Sequence, residues 1–103
     1  MSAKVEETIN RINTHIGVIG LIIVNAKGMS IKSTMSIDQT NEYGQTISNF
    51  CGDAQAAIQK IHEEEKITFI RIRSVKHEIM IAPDKEFSLI VLQNPSNDDT
   101  SLN

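Results

Sequence analysis

The segment that most constrains the fold is residues 67–95, because it predicts three short strands in succession. Apolar and polar residues alternate over residues 67–73, a period of two that is typical of a half-buried strand. Residues 78–82 and 87–93 predict two more strands, separated by polar breaks at 74–77 and 83–86. Breaks this short force antiparallel neighbours, since a parallel crossover needs roughly a dozen residues. We expect a three-stranded meander whose last strand, apolar at nearly every position, is central and covered on both faces.

The start of the chain predicts an amphipathic helix followed by a β-hairpin. Gly17 stands where a helix C-cap belongs. Residues 18–24 are apolar without alternation, which indicates a strand buried on both faces. Residues 25–28 form a turn in which Gly28 needs a positive φ, and residues 29–34 return as a strand whose polar side suggests a sheet edge. The apolar stripe of the helix consists of Val5, Ile9, Ile12 and Ile16.

A second, longer helix is predicted from the capping box at Ser36 to about His62. Gly44 and Gly52 lie in its interior and cost about 1 kcal/mol each relative to alanine. Two kinds of contact would offset that cost: close packing of the helix on its own sheet, or close approach of a helix from another chain. The apolar stripe of this helix consists of Tyr43, Ile47, Phe50, Ala54, Ile58 and Ile61.

These elements predict one α+β domain over residues 1–95, in the order α-β-β-α-β-β-β. Its five-stranded antiparallel sheet needs cover on both faces, and the two amphipathic helices supply one helix per face. The result is a profilin-like α/β/α sandwich. Residues 96–103 are polar and are predicted to be a disordered tail.

Composition argues against several classes of protein. The net charge of −3 gives no general attraction to nucleic acid or to an anionic membrane. Cys51 is the only cysteine, so no internal disulfide is possible, and a small buried side chain is a simpler role for it than a reactive thiol. The N-terminal residues do not resemble a signal peptide, and no apolar run approaches the ~20 residues of a membrane span. We expect a soluble intracellular protein.

The sequence carries no recognisable motif for catalysis, cofactor binding or metal binding. It lacks a phosphate-binding glycine loop, HExxH, CxxC and GxSxG. Cys51 and His62 lie eleven positions apart on one predicted helix, a rise of roughly 16 Å, which excludes direct Cys-His catalysis. The acidic run at 63–65 indicates a metal site only weakly. We therefore expect a protein that is not an enzyme and needs no cofactor.

A basic cluster surrounds the first turn of the meander, with Phe69 alongside. It either contacts phosphates or an acidic peptide, or protects an outer strand from strand addition. We favour protection of the edge because the chain is acidic overall and the cluster has a single aromatic neighbour. The cluster consists of Arg71, Arg73, Lys76, His77 and Lys85.

Several blocks of sequence resemble a known family. The most specific are Arg-Ile-Arg-Ser at 71–74 and Ile-Ala-Pro-Asp-Lys at 81–85, preceded by Ile-Lys-Ser-Thr-Met at 31–35 and followed by Gln-Asn-Pro at 93–95. In this order they resemble the roadblock family of cytoplasmic dynein light chains, over residues 5–95. The resemblance implies a non-catalytic protein that binds the dynein intermediate chain in the cargo-binding tail of the motor. It also implies a place on microtubules in the cytoplasm, or in a cilium or flagellum.

The resemblance further implies a homodimer, or a heterodimer with a paralogue, in which the second strands pair edge to edge and the second helices lie together. An edge strand with unpaired backbone groups is suited to such pairing across a two-fold axis. A groove across both chains would then bind an intermediate-chain segment as a helix or an added strand. The predicted dimer interface comprises Ile31, Ser33, Gly44, Ser48, Cys51, Gly52 and Gln55.

Two other functional classes remain open at this stage. One is a roadblock-fold scaffold or regulator of a small GTPase, as in bacterial polarity-regulating relatives. The other is an enzyme or small-molecule sensor on a profilin-like or PAS-like sandwich, which we disfavour because the sequence predicts no buried polar constellation.

Overall fold

A computed structural model of the chain describes residues 3–95, apart from the side chains of residues 3–5 and 8. The predicted tail at 96–103 and the side chain of Val5 lie outside the described residues. The elements confirm the predicted order of two helices and five strands. They are α1 (Ala3–Asn13), β1 (Val18–Asn25), β2 (Ser30–Ser33), α2 (Ile37–Ile61), β3 (Ile70–Arg73), β4 (Glu78–Ala82) and β5 (Phe87–Gln93).

The five strands form one antiparallel sheet in the order β2-β1-β5-β4-β3. The unalternating strands β1 and β5 pair along seven residues at the centre of the sheet, as their apolar character predicts. The polar strand β2 forms one edge, as predicted, and β3 forms the other.

The two helices cover opposite faces of the sheet, which confirms the predicted α/β/α sandwich. Successive residues of β1 alternate between the faces, so that Leu21 and Ile23 face α1 while Ile22 and Val24 face α2. The α1-side core consists of Ile9, Leu21, Ile23 and Val91. The α2-side core consists of Ile22, Val24, Ile47, Ile81 and Ile90.

The turn between β1 and β2 has the predicted geometry. Gly28 adopts a φ of +83°, in the left-handed region that glycine enters without a steric cost. The side-chain oxygen of Asn25 accepts hydrogen bonds from the backbone N–H groups of Lys27, at 2.9 Å, and Met29, at 3.0 Å. A register shift between Ile23 and Val24 forms a β-bulge beside this turn.

Helix α1 is shorter than predicted. It ends at Asn13, and Ile16 is fully exposed instead of continuing the apolar stripe. The chain turns early because the amides of Thr14 and His15 bond to carbonyls three residues back, which tightens the last turn. Gly17, with a φ of +91°, then directs the chain into β1.

Strand β3 is also shorter than predicted, since pairing with β4 begins only at Ile70. The amide of Ile67 donates instead to the side-chain oxygen of Gln55 in α2, at 2.9 Å. Ile67 is therefore held by α2, and residues 67–69 do not pair with β4.

Candidate docking surface

Helix α2 is buried along its first half and open along its second. Its N-terminus is capped by Ser36, whose side chain accepts a hydrogen bond from the amide of Gln39 at 3.2 Å. The buried residues of the helix are Thr40, Gly44 and Ile47. Residues 49–61, the distal half of α2, contain none, and Phe50 and Ile61 are exposed there. Exposed apolar residues on one half of a long helix are typical of a protein interaction surface.

An open cleft of about 530 Å³ lies beside this distal half. Its floor is apolar and comes from β1, β4 and β5, including Val24, Ile81 and Ile90. Lys66, Asp84 and Lys85 stand on its walls. We call it the α2-side cleft. It exists because α2 crosses the β2–β1 side of the sheet and leaves part of the same face near β4 and β3 uncovered.

Gln55 fixes one wall of this cleft. Its side-chain N–H donates to the carbonyl of Glu65, and its side-chain oxygen accepts from the amide of Ile67, both at 2.9 Å. One amide side chain thus satisfies two backbone groups of the connection between α2 and β3.

The two interior glycines of α2 have different surroundings. A Cβ added at Gly44 would lie 3.2 Å from the carbonyl oxygen of Gly28 and 3.4 Å from Cγ1 of Val24. Packing on its own sheet therefore explains Gly44, which is buried. A Cβ at Gly52 would meet nothing within 4 Å. Close packing within the subunit does not explain Gly52.

The structure brings only part of the predicted interface together. Ser48, Cys51, Gly52 and Gln55 all line the α2-side cleft, and burial raises the pKa of the Cys51 thiol. Ile31 and Ser33 lie on the edge strand β2 and do not line the cleft.

Ser33 already has partners within its own chain. Its hydroxyl lies 2.7 Å from that of Thr40 and accepts a hydrogen bond from the amide of Met35. Ile31 is exposed. Gly44 is turned toward the sheet and offers no surface to a second chain. The dimer interface itself stays a prediction.

A second, smaller cleft of about 250 Å³ opens on the α1 side of the sheet. Helix α1 is only 11 residues long and leaves apolar parts of β4 and β5 beside it uncovered. The lining includes Ile12, Val18, Phe69, Met80, Leu89 and Val91.

Sequence reasoning missed the buried carboxylate of Glu78, which is 0% exposed. Arg71 Nε donates to it at 2.8 Å, Arg73 Nε at 3.0 Å and Gln93 Nε2 at 2.5 Å. The hydrogen bond from Arg71 is the largest cause that lowers the pKa of Glu78 to about 2, against the opposing effect of burial. The sequence did contain a signal for this pairing, because the four-residue break at 74–77 places Arg73 opposite Glu78 in an antiparallel hairpin.

This carboxylate changes the interpretation of the basic cluster. Two of its members, Arg71 and Arg73, pair with Glu78 and do not simply present charge to solvent along the outer strand. The basic cluster does lie in and beside the edge strand β3, as protection of an outer strand requires.

Two further properties concern residues 3–95. No group of three or more His, Cys, Asp or Glu side chains in this part of the chain is arranged to hold a metal ion. None of the helices described there is long and apolar enough to cross a membrane.

The fold and cleft together define a small α/β/α sandwich with an open, partly apolar surface along its longer helix. The sequence model of the Roadblock/LC7 domain family matches residues 4–94, and the chain belongs to this family.

Solved structures share the fold at low sequence identity. A Roadblock/LC7 domain from Streptomyces avermitilis has a TM-score of 0.76 and 8% identity, over 82% of this chain and 72% of that chain. MglB from Myxococcus xanthus has a TM-score of 0.73 and 17% identity, over 97% and 85%. An MglB described as having a tetrameric arrangement has a TM-score of 0.76 and 10% identity, over 99% and 82%. The roadblock fold expected from the sequence is confirmed.

Proposed function

We propose that this chain is a non-catalytic scaffold that associates with a second subunit and docks a partner protein. The observation that carries the proposal is the distal half of α2, which holds exposed apolar residues beside an open cleft. Phe50 and Ile61 lie eleven positions apart, roughly 16 Å along the helix. Neither side chain lines the α2-side cleft, so a small molecule bound there would leave both exposed, whereas a protein segment along the helix would cover them.

Self-association is supported by Gly52, where the subunit leaves open space beside the helix. Interior glycine allows the backbones of two helices to approach closely. The tetrameric arrangement described for one MglB structure also supports association between roadblock domains.

The first candidate partner is the dynein intermediate chain. The support for it is the resemblance of the blocks at 71–74 and 81–85 to cytoplasmic dynein light chains. In this role the protein would be a light chain in the cargo-binding tail of the motor and would support transport along microtubules.

The second candidate partner is a small GTPase, for which the chain would act as a scaffold or regulator. The structural comparisons favour this candidate over the first, since two of the similar structures described above are MglB proteins.

A pull-down with purified components distinguishes the two candidates. The immobilised protein is offered the dynein intermediate chain of its own organism in one arm, and small GTPases loaded with GDP or with a GTP analogue in the other. Retention of the intermediate chain alone supports the light-chain role, and nucleotide-dependent retention of a GTPase supports the second. Failure of a folded protein to retain either contradicts both.

Two variants test whether the proposed surface is responsible. Gly52→Leu fills space at the α2-side cleft, and we expect it to reduce retention. Glu42→Leu introduces the same side chain at an exposed position in the first half of α2, ten residues and roughly 15 Å along the helix from Gly52, and it should retain the partner as the wild type does. Equal retention by both variants would place the docking surface elsewhere.

A further inference from the structure

Strand β3 is one of the two short strands that form the edges of the sheet. It has four residues, lies at an edge and pairs only with β4. Its two faces differ in chemistry, since Ile70 and Ile72 pack against the α2-side core while Arg71 and Arg73 point to the other face. Because side chains alternate along a strand, a slip of one residue would exchange these faces.

Glu78 lies where three strands meet. Its Cα partners are Arg73 in β3 and Gln93 in β5. One carboxylate oxygen accepts from both arginines and the other accepts from Gln93. Arg71 is two residues from Arg73 on the same face, so the carboxylate bonds its opposite neighbour and a diagonal one.

This arrangement favours one pairing register of β3 over its neighbours. A slip of one residue would carry both arginines away from Glu78 and leave a buried carboxylate without a cation, which is strongly unfavourable. A slip of two residues would keep the faces. It would break the bond from the amide of Ser74 to the carbonyl of His77 that closes the hairpin.

We propose that Glu78 sets the pairing register of β3 and thereby holds Ile70 in the wall of the α2-side cleft. Ile70 lines that cleft, whereas Glu78 lies on the opposite face of the sheet. Glu78 is therefore a positioning residue, whose charge acts on the docking surface through the strand between them. The proposal does not depend on which partner the surface binds.

Residue-resolved amide hydrogen exchange tests this on the whole chain. The antiparallel ladder alternates from the Ser74–His77 pair, so the amides of Ile72 and Ile70 point toward β4. In Glu78→Gln we expect these two amides to exchange at least about tenfold faster, because a hydrogen-bonded charge is lost. The amides of Leu21 and Val91, in the central strands, should keep their wild-type rates.

The matched control is Glu86→Gln, the same chemical change at an exposed carboxylate in the turn before β5. It should leave exchange in β3 at the wild-type rate. The register itself is read from the cross-strand Hα contact between Arg71 and Met80, which form a directly opposed pair. That contact should weaken in Glu78→Gln and persist in Glu86→Gln.

Exchange in β3 that is unchanged in a folded Glu78→Gln variant, or equally accelerated in all five strands, would overturn the proposal. If Glu78→Gln does not fold, the test is amide hydrogen exchange of the wild type at increasing, sub-denaturing concentrations of urea. The amides of Ile70 and Ile72 should then open only with the central strands. Opening of β3 at a lower free energy than β1 and β5 would equally overturn it.

Discussion

At the scale of single residues, the two glycines of α2 show that one residue type serves two purposes in one helix. Gly44 lets the helix approach the β1–β2 hairpin, whereas Gly52 leaves a gap that the subunit does not fill. The sequence left both explanations open and its predicted dimer interface included both glycines, because the residues alone do not reveal which glycine approaches the sheet.

Alanine substitutions should separate these roles. We expect Gly52→Ala to raise the free energy of unfolding by roughly 1 kcal/mol, since alanine favours the helix and the space is open. Gly44→Ala should gain little or lose stability, because the new Cβ would lie 3.2 Å from a backbone oxygen of Gly28. Urea unfolding of both variants, at concentrations that keep subunits apart, measures the difference. An equal gain in both would contradict the assignment.

Local chemistry was predictable at some residues and not at others. The positive φ of Gly28 and the cap at Ser36 follow from their immediate neighbours in sequence. The burial of Glu78 does not, because it depends on cross-strand partners in both β3 and β5. From the sequence alone, a single glutamate at the start of an apolar strand is predicted to be exposed to solvent, because its cross-strand partners are not known.

At the scale of elements, the late start of β3 comes from a side chain that hydrogen-bonds to a backbone group. Periodicity located all seven elements, but it placed the start of β3 too early. The side chain of Gln55 accepts the amide of Ile67 from twelve residues away, and no pattern within 67–73 indicates such a bond.

Removing that side chain should therefore release the connection it holds. In Gln55→Ala we expect faster amide exchange at Ile67 and a loss of about 1 kcal/mol in the free energy of unfolding. Gln59→Ala is the control, since it removes an amide from the same cleft without touching the bonds to residues 65 and 67. Unchanged exchange at Ile67 in Gln55→Ala would show that the connection is held by other contacts.

At the scale of the whole molecule, the central issue is what covers the distal half of α2. The sequence predicted the α/β/α sandwich and placed Gly52 in this half of the helix. It did not predict the cleft, because its extent depends on how far a helix reaches across a sheet. The sequence likewise predicted only part of the strand order. Apolar patterns identify buried strands such as β1 and β5, but they do not show which strands are neighbours.

Light scattering should resolve the association directly. We expect a mass of two or more subunits at micromolar concentration for the wild type and for Glu42→Leu. Gly52→Leu should weaken association at least about tenfold, because a leucine keeps the partner helix at a distance. Since a Cβ at Gly52 meets no atom of its own subunit within 4 Å, the circular dichroism spectrum of Gly52→Leu should match that of the wild type. A well-folded wild type with the mass of one subunit would contradict self-association.

The bond that joins the end of β5 to the turn after α1 has a practical consequence. The amide of Asn94 donates to the carbonyl of Gly17 at 2.8 Å, so the chain passes Pro95 beside the beginning of β1. The α2-side cleft lies at the other end of that strand, next to Asn25 and Ala26. A fluorescent reporter genetically joined directly after Pro95 would thus start on the far side of the molecule from the cleft. Such a fusion suits live-cell imaging of a protein whose working surface has to remain accessible.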